Sequence, residues 1–340
     1  MDDRLLLKAL RREETPRPPI WLMRQAGRYM AEYRAVREGK TFLELCKDPK
    51  LCASVMQTAV EKIGVDAAII FSDLLPILEP IGFNLSFVKG DGPKIANPFR
   101  APDDLRRTRE LEDVSSLDYV FETVVETKKA VAPLPVIGFA GAPFTLAGYA
   151  IEGETSRSFN RTKTFMKTHS DVWFEFVSRL ARSAARYLNA QIDAGADVVQ
   201  IFDSWAGILS VEDYREYVFP ATRELVRKIK PGVPVIYFGT CSTSLLPEFA
   251  RLETACVGVD WRTPIAQAWD LVGRDRCVQG NLDPATLLAP QDVLRRETLR
   301  ILESVGDKPG FLFNLGHGIL KETPVENVQF LVELVKTWRK

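Results

Sequence analysis

Short apolar, β-rich runs alternate along the chain with longer amphipathic helical patterns. Eight such runs occur, at 19–23, 66–71, 135–139, 197–202, 233–238, 255–259, 276–279 and 310–314. Parallel strands covered on both faces read as near-continuous apolar stretches, and Asp66 to Phe71 (DAAIIF) and Pro234 to Phe238 (PVIYF) have that character. Helix starts are marked by Asp48 before Pro49, by Ser210 with Asp213 three residues on, and by Thr323-Pro324 followed by Glu326. Eight strands joined by helical crossovers predict the α/β class and a (β/α)8 barrel. A doubly wound open sheet competes with it, but no G-x-G-x-x-G follows the first run and no phosphate-binding G-x-x-x-x-G-K-[ST] is present.

Between the second run and its helix lies an insertion at about 74–112, where Phe83 to Val88 and Pro93 to Ala96 flank Gly90-Asp91-Gly92 like a hairpin. No repeat beyond the βα alternation and no linker composition divides the chain, so residues 1–340 read as one barrel domain. Val131 to Ile151 contains no charged residue, yet Pro133, Pro135, Pro143, Gly138, Gly141 and Gly148 would break a membrane-spanning helix. A buried strand running into a tight apolar loop is expected there instead.

Charge narrows the function. Lys plus Arg and Asp plus Glu each number 45, giving a formal net charge of zero, so no global field draws the protein to nucleic acid or anionic lipid. Five scattered cysteines without a C-x-x-C pair fit a reduced compartment. The first residues, MDDRLLLKALRREE, lack the pattern of a signal peptide, and a cytoplasmic protein is expected.

In a barrel of this kind the reactive groups follow the C-terminal ends of the strands. Five runs lead into polar residues there: Arg24, Gln25 and Arg28 after the first, Asp73 after the second, Tyr149 after the third, Ser204 after the fourth and His317 after the last. Arg24 and Arg28 bracket Ala26-Gly27, small residues that let backbone approach a ligand, and guanidinium forks match carboxylates or phosphates. An anionic substrate follows. Surface pairing with Asp or Glu is the competing account of the arginines. Asp73 fits two readings, a site carboxylate or a helix N-cap. Tyr149 and Ser204 are equally ambiguous singly, as a core residue and a cap, and His317 between Gly316 and Gly318 could be an ordinary loop histidine. Arg34 and Arg37 read as a solvated helix face, and His169 as a surface residue. With no H-E-x-x-H and only two histidines, no metal is expected, and no lysine stands at a strand end for Schiff-base chemistry.

The strings MRQAGRY (23–29), FSD (71–73), GFAGAPFT (138–145), FDSWAG (202–207) and NLGHG (314–318) span the chain nearly end to end. In that order they resemble the uroporphyrinogen decarboxylase family. The resemblance implies a (β/α)8 homodimer that needs no cofactor and removes CO2 from the four acetate side chains of uroporphyrinogen III, giving coproporphyrinogen III for heme synthesis. It implies a substrate-binding set of Arg24, Gln25, Ala26, Gly27, Arg28, Arg37, Asp73, Tyr149, Ser204 and His317, with Asp73 catalytic. Arg37 enters this set only through the family. Two places depart from the family pattern: Met30-Ala31 replaces a usual Leu-Pro, and small Gly148 and Ala150 flank Tyr149. Related barrel methyltransferases use a zinc-thiolate site with a His-x-Cys pair; the matching stretch here is Gly239-Thr240-Cys241, without the histidine. A non-catalytic tetrapyrrole carrier is the alternative of a different class.

Overall fold

The structure, a computed structural model, describes residues 4–88 and 92–339. Seven strands form one curled parallel sheet in sequential order: β1 (Ala68–Ile69), β4 (Val136–Gly141), β5 (Val198–Asp203), β6 (Val235–Gly239), β7 (Cys256–Gly258), β8 (Cys277–Leu282) and β9 (Phe311–Leu315). The remaining two, β2 (Leu85–Val88) and β3 (Gly92–Ile95), pair antiparallel as the hairpin expected in the insertion. Of its expected turn, Gly90 and Asp91 lie outside the described residues.

The first expected strand is pared to a single parallel bridge, Ile20 to Phe313. The preceding Pro18 and Pro19 have no N–H to give to a ladder. The segment still joins both edges of the sheet. Phe313 N–H donates to Pro19 O at 2.9 Å on one side, and Asp66 N–H donates to Ile20 O at 2.8 Å on the other. The Ile20 N–H is taken by the Asp66 carboxylate at 2.8 Å, and Arg17 grips that carboxylate with both Nη atoms at 2.6 and 2.7 Å. At Ile20 a side chain thus takes the place of a ladder bond, and 66–71 contributes only the two-residue strand β1, paired with β4. The fold is an α/β barrel of the (β/α)8 type with its first strand reduced in this way.

Helix caps follow the sequence in two cases of three. Asp48 Oδ1 accepts from Leu51 N–H, and Ser210 Oγ accepts from Asp213 N–H, both at 3.0 Å. Thr323 does not cap, because the last helix begins at Val325 and Pro324 occupies the cap position. The stretch after β4 also differs from expectation. Instead of a loop, Pro143–Glu152 is a helix, started by Pro143 in its first turn and ended by Gly153 in the left-handed conformation. Tyr149 rides on this helix. Among the described residues no helix is long and apolar enough to cross a membrane.

One continuous apolar core runs from Leu6 to Val335. Polar residues also line the barrel interior: Trp21 Nε1 donates to Gln279 Oε1 at 2.9 Å, Gln279 Nε2 to Gln200 Oε1 at 3.1 Å, and Met23 N–H to Asn314 Oδ1 at 3.1 Å. This layer lies below the strand ends that carry the candidate site.

Candidate active site

Arg24 leaves the first βα segment with φ of 62°, a left-handed conformation that costs a residue with a Cβ about 1–3 kcal/mol. Its side chain lies flat over Gly318, where any Cβ would collide with Arg24 Cγ and Cδ. Arg24 is reached by water yet walled by protein, as on the side of a cleft. Burial and the neighbouring Arg28 lower its pKa, while Asp73 and Tyr149 oppose the shift. Arg24 therefore stands among Arg28, Asp73, Tyr149 and, through the last loop, His317.

Asp73 follows β1 and is half-buried; its Oδ1 accepts from Leu75 N–H at 3.0 Å. It does not cap a helix, since the next one, Leu78–Ile81, starts after Ile77; its bond to Leu75 closes a local turn, and the carboxylate sits beside Arg24. Burial raises its carboxyl pKa, against the Leu75 and Leu74 amides and Arg24. Burial likewise raises the Tyr149 phenol, with Asp73 adding to it and Trp205 and Arg24 opposing. His317 is drawn down to about 4 by burial first and Arg24 next, so it is a neutral imidazole at neutral pH.

Ser204 ends up next to Trp205, whose ring packs edge-on to Tyr149 with centroids 6.3 Å apart. Phe159 completes the wall, 4.8 Å from Trp205 and 6.5 Å from Tyr149. The small residue before Tyr149 is explained by this ring: a Cβ on Gly148 would stand 2.8 Å from Phe159. Phe159 fills the space that a larger residue at 148 would occupy.

Arg37 lies farther out on its helix, with Nη1 3.3 Å from Tyr33 Oη and its guanidinium 5.2 Å from the Phe42 ring centroid. Phe42 in turn packs on Phe71 and on Phe87 of the hairpin, so the insertion braces this side of the cleft. Arg34 serves the loop itself, donating to Arg28 O and Tyr29 O at 2.8 and 2.9 Å. Gln25 is turned into the core, with Nε2 bonded to Ala67 O and Oε1 accepting from Leu22 N–H, while its own N–H donates to Leu22 O at 3.0 Å and its O accepts from Tyr29 Oη at 2.7 Å. Ala26 is buried, and a Cβ added at Gly27 would stand 3.0 Å from Arg24 O, so these two offer backbone alone.

Sequence reasoning passed over Trp205, Phe159, Gly318 and Asp203. The first and last lie inside FDSWAG, next to the serine that was singled out, whereas nothing in the sequence brings Phe159 near Tyr149. Among the described residues no three His, Cys, Asp or Glu side chains gather as metal ligands.

The family model for uroporphyrinogen decarboxylase matches residues 1–338. The chain belongs to the uroporphyrinogen decarboxylase family. It is thus an enzyme of the carboxy-lyase class. A uroporphyrinogen decarboxylase of Chloroflexus aurantiacus is 49% identical, covering 99% of this chain and 96% of the relative. That of Thermus thermophilus is 47% identical, covering 98% and 97%. Among solved structures, a methyltransferase from Methanosarcina mazei superposes with a TM-score of 0.82 at 20% identity, covering 98% of this chain and 97% of the other. At that identity the likeness shows a shared barrel fold. Uroporphyrinogen decarboxylase membership accounts for the five sequence strings.

Proposed function

We propose that this enzyme removes CO2 from the four acetate side chains of uroporphyrinogen III to give coproporphyrinogen III, with Asp73 as the catalytic carboxylate. The observation that carries the reading is a half-buried Asp73 beside Arg24, in a mouth where Arg28, Tyr149 and His317 also converge. Loss of CO2 leaves an electron pair on carbon, and something must accept it. A pyrrole protonated on a ring carbon is a conjugated cation, and an acetate attached to it releases CO2 into that positive system. Asp73 accepts the pyrrole N–H groups and stabilises the cation, acting in a cleft where a fixed carboxylate counts for more than in water.

The substrate's other carboxylates meet Arg24, Arg28 and Arg37, each charge-assisted contact contributing about 1.5 to 3 kcal/mol. Tyr149, Ser204, neutral His317 and the backbone of 26–27 hydrogen-bond what remains, while Gln25 holds the segment in place from the core. No cofactor enters this scheme, since the pyrrole is the electron sink. Family membership is the ground for reading the enzyme as a homodimer, and five free cysteines, four of them buried, support a reducing, cytoplasmic setting.

The test is anaerobic incubation of chelator-treated protein with freshly reduced uroporphyrinogen, followed by chromatography of the oxidised products. A stepwise fall from eight carboxylates to four is expected. Unaltered substrate with folded protein would overturn the proposal and favour a tetrapyrrole carrier.

A further inference from the structure

Asp203 ends β5, immediately before Ser204, and has no access to solvent. Strand alternation turns it away from the cleft. Gln200 points into the barrel toward Gln279, and Phe202 packs on Phe139 and Phe238, so Asp203 faces the helical layer. There its Oδ1 accepts from Thr145 Oγ1 at 2.9 Å and its Oδ2 from Tyr237 Oη at 2.6 Å. Tyr237 Oη is 3.1 Å from Tyr214 Oη. With the Tyr237 proton directed at the carboxylate, Tyr214 is the donor in that second bond.

The partners of this carboxylate are what give it a role. Thr145 lies four residues before Tyr149 in helix 143–152, one turn away on the same face. Tyr237 lies in β6, whose following residue Thr240 donates from Oγ1 to Ser204 O at 2.5 Å. The loop after β4 is also tied to β5, by Ala142 N–H donating to Phe202 O at 2.9 Å. A single side chain thus joins the helix that carries Tyr149, the loop that carries Ser204 and the strand that backs that loop.

A buried carboxylate with two hydroxyl donors and no cation is an expensive way to join three elements. Burial raises it to about 6, against the hydrogen bonds of Tyr237 and Thr145. The groups facing it are Thr145 from the helix, Tyr237 from β6 and Tyr214 behind Tyr237, with Glu248 acting on Tyr214 from farther out. Both phenols are pushed up by burial, so they stay protonated as donors. A group kept at such a cost beside a site is a functional candidate.

We propose that Asp203 is a positioning residue, which through Thr145 and Tyr237 sets the places of Tyr149 and Ser204 against the carboxylates of the substrate. The inference rests on the reading of the site given above. Asp203→Asn tests it, with Tyr237→Phe as the milder variant should the first fail to fold. Two readouts are needed. In hydrogen exchange, amides of 143–149 and 203–207 should exchange at least tenfold faster in the variant while those of the last helix, 325–337, stay unchanged. In turnover of uroporphyrinogen, KM should rise about tenfold with kcat within threefold, the pattern of lost uniform binding. In a Tyr149→Phe, Ser204→Ala background the same change should raise KM less than twofold. Unchanged local exchange, or an equal KM effect in that background, would overturn the positioning role. If wild-type protein fails to turn over uroporphyrinogen, the reading of the site falls, and the exchange result still decides whether Asp203 holds these elements.

Discussion

At the residue scale the site depends on groups whose charge state is set by their walls. Asp73 has Leu75 N–H on one oxygen and Arg24 nearby, and a cation forming in the substrate would hold it ionised. Asp73→Asn keeps the shape and removes the charge, so kcat should fall by about 10²–10³-fold, the scale of losing one electrostatic stabiliser, with KM little changed. Steady-state rates and retained binding of uroporphyrinogen by the variant check this; near-normal turnover would remove Asp73 from its catalytic role. Gly318 is needed because the Arg24 side chain occupies the place of a Cβ. Gly318→Ala should displace Arg24 and raise KM about tenfold, roughly 1.4 kcal/mol of binding. His317, lowered to about 4, binds a proton less readily folded than unfolded. It therefore contributes stability that is complete above about pH 6.5 and lost as pH falls through about 4. In an NMR titration of this two-histidine protein, the His317 ring signal should remain that of neutral imidazole down to pH 5.5.

At the element scale, local signals fixed the elements that carry their own hydrogen bonds, and neighbours reshaped those that do not. Asp48 and Ser210 cap as their positions indicate, because a cap is satisfied within three residues. The segment at 19–23 has the composition of a strand but becomes a bridge, since its pairing partners are a proline carbonyl, a remote strand and the Asp66 side chain. This makes the Arg17–Asp66 clamp a structural joint at the sheet's edges. Arg17→Ala leaves a mostly buried carboxylate without its cation, and should cost about 3 kcal/mol in urea unfolding; a loss below about 0.5 kcal/mol would show that the joint does not depend on the pair. Helix 143–152 reads as a loop in sequence because its glycines and proline resemble loop punctuation. Pro143 stands at the one helical position that tolerates it, and Gly148 is required by the Phe159 ring.

At the scale of the whole molecule, the buried carboxylate of Asp203 links function to stability. Its folded value of about 6 lies above the ordinary 3.8, so the folded protein holds more protons between those values and stability falls as pH rises through them. The contribution is on the order of 3 kcal/mol, present below about pH 4 and gone above about pH 6. Urea unfolding of wild type and Asp203→Asn at pH 4.5 and 7.5 should show the wild type losing ground to the variant at the higher pH; a constant difference would mean that Asp203 does not titrate in this window. By itself the sequence determined the α/β alternation, the hairpin in the insertion, the lack of a global charge field and the family, because apolar periodicity, turn chemistry and long specific strings are local properties of the chain. It also marked Arg24, Arg28, Asp73, Tyr149 and His317 by their common address after strand ends, and the fold brings these together. Only the tertiary structure decided that Gln25 turns inward, that Thr323 does not cap, that Phe159 supplies the wall beside Gly148, and that Asp203 ties Thr145 to Tyr237. Each of those rests on contacts between residues far apart in the chain or on competition for one hydrogen-bond partner, and such contacts exist only once the sheet has curled and placed its strand ends around one cleft.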